Sequence, residues 1–162
     1  MIEIKDTIIN DIKTIIELDQ KPENKQYITP YTNKQHLQVI NDPNQSHLSI
    51  FCDNKFVGFT ILSGFQDSPH SIEFRRIVVD AKGKGIGKEV IYKVQELVFN
   101  IEGSHRLWLD VFETNKRARH TYKRLGFLEE GILRDAVKTD DTFHNLVIMS
   151  ILKHEFIIQP ES

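Results

Sequence analysis

Gly83, Gly85 and Gly87 stand at alternate positions between a β-branched run and an amphipathic pattern. Lys82, Lys84 and Lys88 lie in the same turn. Residues of these types at this spacing suit an anion. Glycine permits positive φ and has no Cβ to hold a ligand away from the backbone. A turn entering a helix points several main-chain N–H groups the same way, and the helix dipole adds positive potential. The chemistry that fits is a phosphate or pyrophosphate. Taken alone, such a turn is equally a plain strand-to-helix connection.

The spacing narrows the ligand. A P-loop needs Lys followed by Ser or Thr, whereas Lys88 is followed by Glu89. A dinucleotide fingerprint needs its third glycine one residue later. The repeated βαβ units of a full nucleotide-binding sheet are missing. A nucleotide-binding module is therefore disfavoured.

The block KGKGIG, residues 82–87, resembles the acyl-CoA pyrophosphate loop of the GNAT superfamily of N-acetyltransferases. Lys82 stands where that family usually carries Gln or Arg; it keeps the charge but not the planar donor group. Residues 107–127, LWLDVFETNKRARHTYKRLGF, resemble the family's second cofactor motif: a strand, Asn115, a short helix, Tyr122, then Gly126 and Phe127. The resemblance covers roughly residues 47–152, with the two motifs in the family's order. The tail of that region, GFLEEGILRDAVKTDDTFHNLVIMSIL, is most similar to the branch of spermidine and ribosomal-protein N-terminal acetyltransferases.

The elements that must position these residues follow from hydrophobic period and turn chemistry. Residues 2–5 read as a strand. Ile8, Ile9, Ile12, Ile15, Ile16 and Leu18 recur at helical spacing over 7–19. Residues 21–31, with Pro22 and Pro30, read as a loop, and 32–41 as a shorter helix closed by Pro43. Strands at 47–53 and 55–64 flank a tight turn at Asp53 and Asn54. Residues 72–79 form a strand and 85–100 a helix with Ile86, Val90, Ile91, Val94, Leu97 and Val98 as its apolar stripe. A strand at 107–112 puts Leu107, Leu109 and Val111 on one face. A helix at 115–125 has Thr114 or Asn115 as cap and Gly126 at its end. Closing strands lie near 127–136 and 143–153. The expected fold class is α/β (α+β), a GNAT-like mixed and mostly antiparallel sheet of about seven strands with helices on both faces, in one domain spanning 1–162.

The resemblance implies acetyl transfer from acetyl-CoA to a primary amine by direct attack in a ternary complex. Its cofactor residues would be Lys82, Gly83, Lys84, Gly85, Ile86, Gly87 and Lys88 for the pyrophosphate. The backbone of Ile77, Val78 and Val79 would hold the pantetheine arm, which can pair with a strand as a peptide does. Asn115 and Tyr122, seven residues apart, share a helix face roughly 10 Å apart. Asn115 would bond the cofactor's amides. Tyr122 would be the general acid; read without the resemblance, it is a helix-face aromatic of the core. A phenol pKa of about 10 against a thiol's of about 8.5 makes that transfer mildly uphill, so it must be coupled to C–S cleavage or assisted by hydrogen bonding.

The acceptor must lose a proton first, which costs roughly 4 kcal/mol for a lysine-like amine near pH 7.4. Glu73, before the cofactor-binding end of its strand, is the base candidate; its other reading is a strand-edge glutamate paired with Arg75 or Arg76. Glu17, Asp19, Glu113 and Asp135 are further acidic candidates for a cationic substrate. The partner is a small-molecule amine or a protein N-terminal amine. The alternative function is a catalytically weak acyl-CoA-binding or sensor domain.

Composition bounds the rest. The chain has 162 residues, 40% hydrophobic, with net charge −2. This suits a soluble domain with a real core and offers no strongly basic face for nucleic acid. Cys52 is the one cysteine, so no internal disulfide forms, and its surroundings read as a buried strand. The acidic N-terminus lacks a signal sequence and no apolar run is long enough to span a membrane. A cytoplasmic location follows. The seven histidines sit at no metal-ligand spacing, so no metal is expected and they read as surface or structural residues. A homodimer formed through the closing strands is compatible with the sequence.

Overall fold

The computed structural model describes residues 1–80 and 85–157. Among these, seven strands make one sheet: β1 (Ile2–Asp6), β2 (Gln45–Cys52), β3 (Lys55–Ser63), β4 (Ser71–Val79), β5 (Arg106–Phe112), β6 (Leu128–Thr139) and β7 (Thr142–Leu152). Their spatial order is β1-β2-β3-β4-β5-β7-β6. Every neighbouring pair is antiparallel except β4 and β5. A parallel pair needs a long crossover. Here the helix α4 (Ile86–Phe99) supplies it. The last strand inserts between β5 and β6, which leaves β6 as an edge exposed along most of its length.

Helices cover both faces of the sheet. On one side Val90, Ile91, Val94 and Val98 of α4 pack with Leu107, Leu109 and Phe127. Helix α5 (Lys116–Arg124) adds Tyr122 to the same core. On the other side Ile15 and Leu18 of α1 (Ile12–Asp19) and Val39 of α3 (Asn33–Asn41) pack on Phe59, Ile61 and Val78. Thr32 caps α3 and Gln35 closes the reciprocal bond. In α4 the apolar stripe departs from the expected one: Leu97 is exposed, and Gln95 is buried. Gln95 Nε2 donates to the Leu125 carbonyl at 2.9 Å, tying α4 to the end of α5.

Three expectations are corrected. The first helix starts at Ile12, not residue 7; a 3-10 turn, Ile9–Asp11, precedes it and leaves Ile8 and Ile9 exposed. The stretch 21–31 holds a short helix, α2 (Pro22–Lys25), started by Pro22 at its first position. Cys52, the last residue of β2, is half-buried rather than buried.

Behind β3 and β4 runs a buried polar chain. Asp19 and His36 have no exposed surface, and His47 is 5% exposed. Thr7 Oγ1 bonds Ser49 Oγ at 2.9 Å and His47 Nδ1 at 2.8 Å. His47 Nε2 meets His36 Nδ1 at 3.0 Å, and His36 Nε2 meets Asp19 Oδ2 at 3.1 Å. Arg76 lies 3.5 Å from the same carboxylate oxygen. Its guanidinium also stacks 3.9 Å from the Tyr31 ring and donates to the Thr29 carbonyl at 2.8 Å. Most polar atoms this deep find a partner; Asp19 Oδ1 and Arg76 Nη1 are buried without a hydrogen bond among the described residues, and the ion pair between the two groups offsets part of that cost.

Burial, reinforced by His36 and Arg76, pushes the His47 pKa down to about 4. Its ring is therefore neutral in the folded protein at neutral pH. An unfolded histidine titrates near 6.5, so between about 6.5 and 4 the unfolded chain holds more protons than the folded one. Stability is full above that window and falls as pH drops through it, by about 3 kcal/mol. Urea unfolding at pH 7.5 and pH 4.5 measures this. His47→Gln is expected to flatten the slope over that window; an unchanged slope would contradict the assignment.

Candidate active site

The site begins where β4 and β5 part. Their parallel register runs Ser71–Arg106, Ile72–Leu107, Glu73–Trp108 and then stops. Beyond that point β4 stays with β3 as far as Val79, while β5 stays with β7 as far as Phe112. A register shift accompanies the separation: Leu62 faces Phe74 but Ile61 faces Arg76, so Arg75 is an extra residue in β4. From Phe74 onward the edge of β4 towards β5 has no strand partner. Its main-chain donors and acceptors need another one.

A cavity of about 820 Å³ fills this opening. Ile77, Val78 and Val79 line it. Their side chains are also packed into the two cores, Val78 on one face and Ile77 and Val79 on the other. Core packing and a main-chain surface are thus the same three residues. Gly85, Gly87 and Lys88 line one end, together with Arg117 and Arg124 of α5. Ile86 packs against the core and is not in the wall. Lys82, Gly83 and Lys84 lie outside the described residues.

Gly85 caps α4 with φ of 75°, in the left-handed region that favours glycine. It has no side chain to satisfy the first-turn N–H groups, which have no partners within a helix. A Cβ placed on Gly85 or Gly87 would meet nothing within 4 Å. This is open space beside first-turn N–H groups that have no acceptor within their own helix.

Along the opposite wall, Asn115 caps α5: its Oδ1 accepts from the Ala118 N–H at 3.3 Å. Its amide NH₂ makes no hydrogen bond among the described residues and is left to the cavity. Tyr122, nearly two turns on, shares that wall. It is 8% exposed and edge-on to Phe74 and Phe127, with ring centres 6.5 Å and 5.6 Å away. Burial, and to a lesser extent the nearby charge of Asp110, raises its pKa above the ordinary phenol value. It carries its proton throughout the neutral range. The core reading and the cavity reading of Tyr122 both hold: its ring is packed, and it forms part of the wall.

The carboxylates sort differently. Glu73 sits at the point of divergence, 3.9 Å from Arg75 Nε, and is absent from the cavity wall. Burial raises its pKa, while Arg75 opposes the shift. Asp19 is committed to His36, and Glu17 is exposed on α1. Glu113 and Asp135 flank a separate recess of about 180 Å³. Asp110 does line the main cavity. The sequence reading passed over it, although strand alternation puts it opposite Leu109 and Val111. Glu23, Tyr27 and Thr29, from the segment that Arg76 holds, close the remaining side. Among the described residues no cluster of three or more His, Cys, Asp or Glu could hold a metal. No described helix is long and apolar enough to cross a membrane.

Comparison with known proteins gives a consistent result. The spermidine N(1)-acetyltransferase of Escherichia coli (strain K12) is 25% identical over 121 residues, 74% of this chain and 65% of that protein. The match thus spans just under two thirds of that relative's length. The putative ribosomal N-acetyltransferase YdaF of Bacillus subtilis (strain 168) is 34% identical over 85 residues, 49% of this chain and 44% of that protein. The crystal structure of spermidine N-acetyltransferase from Vibrio cholerae in complex with CoA and spermine superposes with a TM-score of 0.85 at 22% identity. It covers 95% of this chain and 96% of that one, which establishes a shared fold. The acetyltransferase (GNAT) family profile matches residues 12–127, well over half of the chain, and the protein belongs to that family.

Proposed function

We propose that this protein is an N-acetyltransferase that moves the acetyl group of acetyl-CoA onto a primary amine within a ternary complex. The observation that carries this reading is the opening between β4 and β5. The glycine-capped start of α4 lines it, a protonated tyrosine forms part of the wall, and an edge of β4 without a strand partner among the described residues runs beside them. The names of the relatives direct the acceptor towards polyamines or a protein N-terminal amine.

The residues fit acetyl-CoA part by part. The pyrophosphate would rest on the first-turn amides of α4, with Gly85 and Gly87 leaving room and Lys88 adding charge. The amides of the pantetheine arm would pair with the free edge of β4 at residues 77–79, as an added strand does. The free amide NH₂ of Asn115 would donate to the same arm. The thioester then comes beside Tyr122.

The neutral amine attacks the thioester carbon, and the C–S bond breaks as the carbonyl reforms. The leaving sulfur takes the Tyr122 proton. A phenol raised above its ordinary value does not give its proton to a free thiolate easily, so the transfer runs together with C–S cleavage. The nitrogen's surplus proton restores the phenol. Cys52, on β2, is absent from the cavity wall, in keeping with direct transfer rather than an acyl-enzyme.

Two variants test this. Gly87→Asp adds a negative charge at a helix start, which suits the helix but repels a pyrophosphate. Its Kd for CoA is expected to rise at least about tenfold, equivalent to about 1.4 kcal/mol, with the thermal midpoint maintained. An unchanged Kd by calorimetry would remove the clamp. Tyr122→Phe is expected to lower kcat by about 100-fold or more while acetyl-CoA still binds. A kcat equal to wild type would end the acid assignment.

A further inference from the structure

We propose that Asp110, not Glu73, is the carboxylate that holds the acceptor's ammonium group and takes its proton. This rests on the acetyltransferase reading and deepens it.

The two acidic residues bracket the point where the central strands part, one on each strand. Glu73 has an ionic partner: Arg75 Nε is 3.9 Å from its carboxylate. The same guanidinium donates to Gln45 Oε1 at 3.0 Å, although Arg75 also forms part of the cavity wall. Glu73 is half-buried and does not reach the cavity. Its charge is used within the protein.

Asp110 is different in each respect. It lies in the middle of β5, opposite Ile148 of β7, and is the one exposed residue of that strand. It makes no hydrogen bond and no ion pair within 4.0 Å among the described residues. β4 has parted from β5 by this point while β7 stays paired, and Asp110 lines the cavity that the parting opens. Its neighbours in the wall include Val111, Phe112 and Leu146, an apolar frame for one anionic group. The carboxylate is near enough to Tyr122 for its charge to act on the phenol. Burial raises its own pKa, with the charge of Arg75 opposing the shift, and the net effect makes it a stronger base than an ordinary aspartate. An unpaired anion beside the acid, in the opening that receives the thioester, is the place for a primary ammonium.

The step balances. The ammonium gives one proton to Asp110 and becomes a neutral amine. Its lone pair forms the C–N bond, the C–S bond breaks, and the thiolate takes the Tyr122 proton. The second nitrogen proton returns to the phenol, and Asp110 releases its own proton to water in the cavity. The products are an amide, CoA thiol and one proton.

The probe is spermidine, titrated calorimetrically into the CoA-loaded wild type, Asp110→Asn and Glu73→Gln proteins. Asp110→Asn is isosteric and is expected to weaken spermidine at least about tenfold. Glu73→Gln is expected to change it less than about threefold. In steady state, Asp110→Asn is expected to lower kcat/KM for the amine about 100-fold and to lose the acid limb of its pH profile. KM for acetyl-CoA is expected to stay as in wild type. Equal spermidine affinity in wild type and Asp110→Asn would overturn the proposal, as would the larger loss falling on Glu73→Gln or no spermidine binding by wild type. A wild type that fails to bind CoA would count against the acetyltransferase reading. The same amine titration without CoA then still scores Asp110.

Discussion

Three residue pairs of parallel sheet decide what this molecule can do. Ser71, Ile72 and Glu73 hold β4 against β5, and beyond Glu73 each strand follows its other neighbour. Had the pairing continued, the sheet would be closed and its centre filled. Because it stops, one edge of β4 is left without a strand partner among the described residues in the middle of a folded protein. Main-chain polar groups are costly without partners. An amide-rich chain can satisfy them, and the same cavity is lined by the glycine-capped start of α4 and by the Tyr122 phenol. The extra residue at Arg75 belongs to the same event, since a bulge bends and twists a strand where it occurs.

The cavity needs a second wall, and the buried polar chain supplies its anchor. Arg76 leaves β4 on the side away from α4 and is gripped by Asp19, Tyr31 and the Thr29 carbonyl. Asp19 is held in turn by His36, and His36 by His47. The segment around α2 is thereby fixed to the same strand that forms the first wall. Its Tyr27 also meets the ring of Phe112 at the end of β5, edge-on with centres 6.3 Å apart. Both sides of the opening are held from β4, so substrate geometry depends on one rigid strand more than on the loops.

Much of this was legible from residue types and spacing. The glycine turn, the apolar stripe of α4 and the pairing of Asn115 with Tyr122 each carry a local signal. The structure puts Gly85, Gly87, Lys88, Asn115 and Tyr122 around one cavity. The rest was not local. The end of the β4–β5 pairing depends on which other strand each one prefers, and no single segment records that. Asp110 looked like the polar position of an alternating strand, because only the divergence turns it towards a cavity. For Glu73 the sequence leaves both readings open, base or partner of Arg75 or Arg76, and only the β3–β4 register brings Arg75 Nε to 3.9 Å from it. Ile8 and Ile9 continued an apolar period past the true helix start, where the chain runs as a 3-10 turn instead. The histidines read in the sequence as surface or structural residues without distinction, and a spacing of 11 residues gives no hint that His36 and His47 touch in the interior.

The central claim is that the strand divergence receives a thioester carrier lengthwise. A crystal structure of the protein soaked with CoA tests it most directly. The account requires diphosphate density at the start of α4, pantetheine amides bonded to the free edge of β4, and the sulfur beside Tyr122. Density for the carrier on any other surface, with the opening between β4 and β5 empty, would contradict it.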